Sequence, residues 1–196
     1  MTKGRVITGF SKPYVALYNN NSGAVTYTNG MPLARGVNVS IEPEVSDNNI
    51  FYADNVVAET AGGIFMTGTV TLQVDGLFEA AAKFIYGITQ TSEGGSNYYE
   101  YSASDAAPFV GIGYIIRYMS AGVTSYVPMI LKKNRFDVGK ISAETQGENI
   151  DFQPGELTAT ILRDDSPAQA WRRDYTAQTT ERAAEGIIKT LFGISE

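Results

Sequence analysis

Two stretches of this chain alternate between apolar and polar residues over most of their length. After Gly36, Val37, Val39 and Ile41 fall on one side, and Asn38, Ser40, Glu42 and Glu44 on the other. After Gly63, Ile64, Met66, Val70, Leu72 and Val74 fall on one side, and Phe65, Thr67, Thr69, Thr71 and Gln73 on the other. A period of two predicts strands with one face toward a core and one toward something wet. Shorter runs of the same kind predict further strands. They cover Tyr14 to Tyr18, Val25 to Thr28, Val110 to Met119, Val123 to Lys132, Phe136 to Ala143 and Glu156 to Arg163. In the last of these Leu157, Ala159 and Ile161 are the inward set.

Only two segments carry a helical period. Asp75 to Gly87 has Leu77, Ala81, Phe84 and Ile85 as its stripe, Asp75 as the expected cap and Gly87 at its end. Thr180 to Phe192 has Ala184, Ile187, Ile188 and Leu191, a Glu185–Lys189 pair one turn apart, and Gly193 as its stop. Gly186 within it costs about 1 kcal/mol relative to alanine. The pattern predicts one mainly β domain over residues 1–196, a sandwich or barrel with one helix packed on the sheet and a C-terminal helix. Whether that last helix docks on its own subunit or on a neighbour is open.

The connections add detail. Asn19 to Gly23 and Asn29-Gly30 read as turns, and Pro43 as the end of its strand. Residues 44–62 form an excursion longer than paired strands need, with Ile50, Phe51, Tyr52, Val56 and Val57 set among Asp and Asn. It reads either as a local extra hairpin or as an arm docking on another molecule. Residues 88–109 read as a polar loop with a Gly94-Gly95 tip, followed by Tyr98, Tyr99 and Tyr101. These tyrosines are either a stacking platform or an ordinary strand face. Ser166-Pro167 resembles a helix start, with the following residues either helical or irregular.

Composition narrows the chemistry. The chain has no cysteine and no histidine, which removes disulfides, thiolate metal sites and the usual zinc ligand and general base. A net charge of −6 disfavours gripping nucleic acid from outside, since that needs Lys and Arg against phosphates. It does not disfavour enclosing DNA. No apolar leader stretch opens the chain and no apolar run is long enough to span a bilayer, so a cytoplasmic, non-inserted product is expected. Glu42 and Glu44 could form a carboxylate pair roughly 7 Å apart, but exposed strand carboxylates are common and nothing suggests split pKa values. Gly111-x-Gly113 lies within an apolar strand, not at a strand-to-helix turn, so a dinucleotide fingerprint fails on context. Lys132-Lys133-Asn134-Arg135 reads as a short basic turn and Asp164-Asp165 as a charged turn. No enzyme activity, cofactor or metal is expected.

Four blocks together resemble the major tail (tail tube) proteins of long-tailed phages of Gram-positive bacteria. They are GFSKPYVALYNNNSG, GVNVSIEPEVSDNNIFYADNVVAET, LFEAAAKFIYG and AETQGENIDFQPGELTATIL, and their order carries the likeness. The resemblance implies a structural virion protein, made in the host bacterial cytoplasm and resident in the virion tail. Its partners would be copies of itself in stacked hexameric rings, the tape measure and tail-end proteins, and genomic DNA passing through the lumen without specific binding or membrane insertion. Under that reading Asn38, Ser40, Glu42, Glu44, Thr67, Thr69, Thr71 and Gln73 face the lumen. Ile50, Phe51, Tyr52, Val56 and Val57 belong to an inter-ring arm. Plain solvent exposure explains the polar row equally well. The competing readings are a carbohydrate-binding or adhesin-type sandwich using the tyrosine loop, and a carboxylate hydrolase.

Overall fold

A computed structural model describes residues 4–47, 49–139, 141, 143, 145 and 153–194, with backbone alone at 49, 51, 52, 57, 60 and 61. The fold is mainly β. Its strands are β1 (Val6–Asn21), β2 (Ala24–Pro32), β3 (Gly36–Val45), β4 (Asn49–Ala53), β5 (Val56–Ala61), β6 (Phe65–Val74), β7 (Thr89–Glu93), β8 (Ser96–Glu100), β9 (Val110–Ser120), β10 (Val123–Phe136), β11 (Gly155–Leu162) and β12 (Arg172–Asp174). The helices are α1 (Glu79–Tyr86) and α2 (Glu181–Phe192). One antiparallel sheet runs β2-β1-β9-β10-β11-β6-β3, and β12 adds to β10 alongside β11. The hairpins β4-β5 and β7-β8 are separate two-stranded sheets.

The sheet curls around the main core. Val15, Ile112, Tyr114, Leu131, Leu72, Val70, Ala159 and Ile161 point inward, and α1 contributes Ala81, Ile85 and Tyr86. Alternation sends the intervening residues outward. On β1, β9 and β10 these are Tyr14, Ala16, Ile115 and Ile130, and α2 covers them with Ala184, Ile188 and Phe192. The C-terminal helix thus docks on its own sheet. Gly111 and Gly113 make this possible. A Cβ on Gly113 would lie 2.7 Å from Ile188, and one on Gly111 2.5 Å from Tyr27. These glycines admit side chains from the helix layer.

Several expectations need correction. Asp75 does not cap α1, which starts at Glu79 after Phe78 with no side-chain cap. Instead Asp75 accepts hydrogen bonds from Arg35, at its backbone N (3.0 Å) and Nε (2.5 Å). The left-handed C-caps at Gly87 and Gly193 are as expected, and Thr180, read as the first residue of α2, is its N-cap, accepting from Ala183 N. Tyr14 to Tyr18 is one part of the 16-residue β1. Asn29-Gly30 is no chain reversal. It lies within β2, where the β1 register slips between Val15 and Leu17 and Asn29 has φ 53°. Pro43 does not end β3, which runs on to Val45; β3 is an edge strand, where a missing N–H is tolerated. Residues 88–109 include the β7-β8 hairpin, turned by Gly94-Gly95, in place of a loop. Of the two readings left open after Ser166-Pro167 the irregular one holds up to Ala170, and the segment from Trp171 to Gln178 then pairs along β10. The expected strand from Phe136 to Ala143 ends at Phe136, and residues 140 and 142 lie outside the described set.

Candidate functional site

Register brings the predicted polar residues together. Asn38 faces Gln73, Ser40 faces Thr71, Glu42 faces Thr69 and Glu44 faces Thr67. Residues opposite each other in an antiparallel ladder share a face, so all eight lie on one side. They point away from the core, since Val70, Leu72 and Val74 take the other side with no exposure. The β3 members are exposed and the β6 members half-buried. The structure adds a third strand that the two-strand reading missed. Glu156 faces Gln73, Thr158 faces Thr71 and Thr160 faces Thr69. Thr67 donates its hydroxyl to the Ile161 carbonyl at 3.0 Å.

The row through Glu42, Thr69 and Thr160 continues onto β10 as Arg135, which is exposed and lies 5.9 Å over the Phe109 ring. No Lys or Arg stands among the eight, but a cation does border their face. The face ends at β3, whose outer edge pairs with no strand among the described residues. Val37, one of the three expected inward residues of this edge strand, is 54% exposed, and Val45 beyond them is 58% exposed. Val39 and Ile41 pack on the core, whereas Ile64 and Met66 are exposed near the arm. Phe65, counted with the polar row, instead stacks on Trp171 at 4.5 Å.

The excursion is a hairpin, β4-β5, turned at Asp54-Asn55, both with left-handed φ. Its root is pinned by Ser46, whose N donates to Ile64 O (2.8 Å) and whose hydroxyl accepts from Ile64 N (3.2 Å). Glu44 and Val45, placed at the start of the arm by the sequence, belong to β3. Ile50 and Val56 are 42% and 63% exposed. The side chains of Phe51, Tyr52 and Val57 lie outside the described set.

The tyrosines do not form one platform. Tyr98 and Tyr99 are neighbours in β8 and so point to opposite faces. Tyr99 is half-buried against the core and donates to Glu79 at 3.4 Å, while Tyr101 lies by Tyr86. Glu42 and Glu44 are exposed on β3.

Sequence reasoning missed one charged cluster. Lys132 to Arg135 is a bulged piece of β10, where the register to β9 slips between Leu131 and Asn134. Lys132 is buried and hydrogen-bonds Asp164, itself 3% exposed, and Ser166 also donates to that carboxylate. Burial pushes Asp164 up, but hydrogen bonds from Lys132 and Ser166 outweigh it and hold the carboxyl below its usual range. Lys133 pairs with Asp165 at 2.8 Å, which also accepts from Tyr18. Hydrogen bonds from Lys133 and Tyr18 lower Asp165, and burial pushes the Tyr18 phenol up to about 12. The signal lay in two matched dipeptides, Lys-Lys and Asp-Asp. Asn134 closes the bulge by donating to the carbonyls of Val110 (3.1 Å) and Leu131 (2.9 Å). Among the described residues no cluster of acidic side chains is arranged to hold a metal, and no helix is long and apolar enough to cross a membrane.

No protein-family model matches the chain, and no curated protein matches it either.

Proposed function

We propose that this protein is a structural subunit that assembles through its own sheet edge into rings, stacked as a tube that conducts DNA. This is the tail-tube function that the sequence resemblance implies. The observation that carries it is the outward polar face of β3, β6 and β11 running to an edge strand whose outer side pairs with no strand among the described residues. A barrel shared between copies needs both features: a wet inner wall and an edge satisfied by the neighbour. Hydroxyl, amide and acidic groups on that wall give phosphates little to bind.

A carbohydrate-binding reading would want a contiguous aromatic platform, which the split tyrosines do not supply.

Negative-stain microscopy and light scattering of the purified protein test the proposal. Rings or tubes with a central channel are the expected result. A monodisperse monomer at all concentrations, with the polar face remaining an outer surface, would refute it.

A further inference from the structure

Asn29 and Gly30 stand together because the fold asks something different of each. Val15 faces Met31 and Leu17 faces Thr28, so Asn29 and Gly30 together oppose Ala16 alone. Such a bulge leaves its extra residue outside the regular ladder. Position 29 is left-handed, at φ 53°, a conformation that asparagine adopts more readily than most residues. Position 30 lies under the end of α2. A Cβ there would lie 2.6 Å from Ile194 and 2.8 Å from the Phe192 side chain, with the Phe192 carbonyl closer still. Only glycine fits so close an approach. The pair selected in this way is also chemically reactive. With no side chain on residue 30 its backbone nitrogen is unscreened, and attack on the Asn29 side-chain carbonyl closes a favoured five-membered ring. Asn29 is exposed, and its side chain makes no hydrogen bond to any described residue.

We propose that Asn29 is a site of spontaneous deamidation, and that its product loosens the seat of α2. Neither part depends on the assembly reading. Hydroxide takes the proton of the Gly30 backbone N–H. The nitrogen then attacks the Asn29 side-chain carbonyl, a C–N bond forms, and the side-chain nitrogen leaves as ammonia. Water opens the cyclic imide at one of its two carbonyls. One opening gives aspartate, the other isoaspartate, whose main chain is longer by one methylene. Nothing is oxidised or reduced, and water is the reagent consumed. The described residues hold no equal site. Of the chain's eleven asparagines only Asn29 precedes a glycine. Asn134 is fully buried and its amide donates two hydrogen bonds. Asp75 also precedes a glycine, but it is a carboxylate bound by Arg35, and a carboxylate resists attack by nitrogen. Either product puts a negative charge one residue before the glycine on which the end of α2 rests, where the helix dipole is itself negative. Isoaspartate also lengthens β2 there, which shifts Gly30 against the Phe192 carbonyl.

The purified protein, aged in mild alkali and in mild acid, tests this by isoelectric focusing and peptide mass mapping. The expected result is a new acidic band that grows faster in alkali. Its peptide spanning residue 29 should be heavier by the difference between an amide and an acid, and should separate into aspartyl and isoaspartyl forms. Asn29→Gly keeps the left-handed backbone without strain and removes the amide, so it should abolish the band. If that variant loses the wild-type circular dichroism, Asn29→Gln, which must close a less favoured six-membered ring, replaces it. A parallel sample aged in urea reads the unfolded chain. No conversion at residue 29, conversion there in urea alone, or earlier conversion at another asparagine would overturn the site. The acidic fraction, once isolated, should unfold at a lower urea concentration than unaged protein. An equal midpoint would overturn the link to α2 and leave the site standing.

Discussion

The outward side of the one large sheet is two surfaces with opposite fates. Over β1, β9 and β10 it is apolar and is covered by α2. Over β11, β6 and β3 it is hydroxyl-rich and acidic, and no helix among the described residues lies on it. The strands on both halves alternate in the same way, so backbone geometry does not choose. Side-chain size and polarity do: Gly111 and Gly113 hollow out one half to receive Ile188 and Phe192, while threonine and glutamate keep the other wet.

The comparison can be broken most severely on its covered half. Phe192 is fully buried under α2 against Tyr27 and the Gly111–Gly113 strip. Phe192→Ala should cost about 3–5 kcal/mol, seen as a lower urea midpoint with unchanged slope. A loss below 1 kcal/mol would mean that the helix is an appendage.

Lys132→Met attacks the boundary between the halves. It leaves Asp164 buried without its partner, at an expected cost of about 3–5 kcal/mol, whereas Lys132→Met with Asp164→Leu should recover most of it. The folded pKa of Asp164 is lowered, so its contribution is complete above the unfolded value near 4. That contribution is lost as pH falls through the lower folded value. The stability difference between wild type and the double variant should therefore shrink on acidification below about pH 4.

Gly186→Ala sharpens the contrast in the other direction. Nothing lies within 4 Å of a Cβ placed there on α2. The thermal midpoint should rise, by about 1 kcal/mol of stability.

The smallest effect belongs to the bare half. Thr69→Lys with Thr71→Lys should leave the urea midpoint of the unassembled protein within about 0.5 kcal/mol of wild type, because both side chains face outward. In assembled tubes the same change should slow DNA passage by placing cations along the channel. A stability loss above about 2 kcal/mol would mean that the face packs on its own subunit.

Much of this was legible in the residues. The extent of α2 was readable, because its helical stripe and Gly193 are local signals that tertiary structure left intact, though Phe192, its most deeply seated end, was not in the expected stripe. So was the inward set of β11, since Leu157, Ala159 and Ile161 are all buried. Misreadings came where a distant partner overrode a local preference. Asp75 had every mark of a cap, and Arg35 took it instead. Asn29-Gly30 had the mark of a hairpin, and β1 absorbed it as an irregularity. The β7-β8 hairpin was missed for a different reason. Nearly all of its residues are exposed, so no alternation marks its strands, and only Gly94-Gly95 announced it. The polar face was half legible. Pairing β11 to β6 is a non-local register, and a strand's own pattern cannot name its neighbour.

The unpaired margin of β3 has a practical consequence for anyone handling the protein. Alternate residues along it turn their backbone groups away from β6, and no strand among the described residues pairs with them. If a second copy takes them, as proposed above, association energy adds to the energy of folding and the melting temperature rises with protein concentration. Under that proposal dilution destabilises the fold as urea does, and a sample's history of concentration sets the state that a measurement reports.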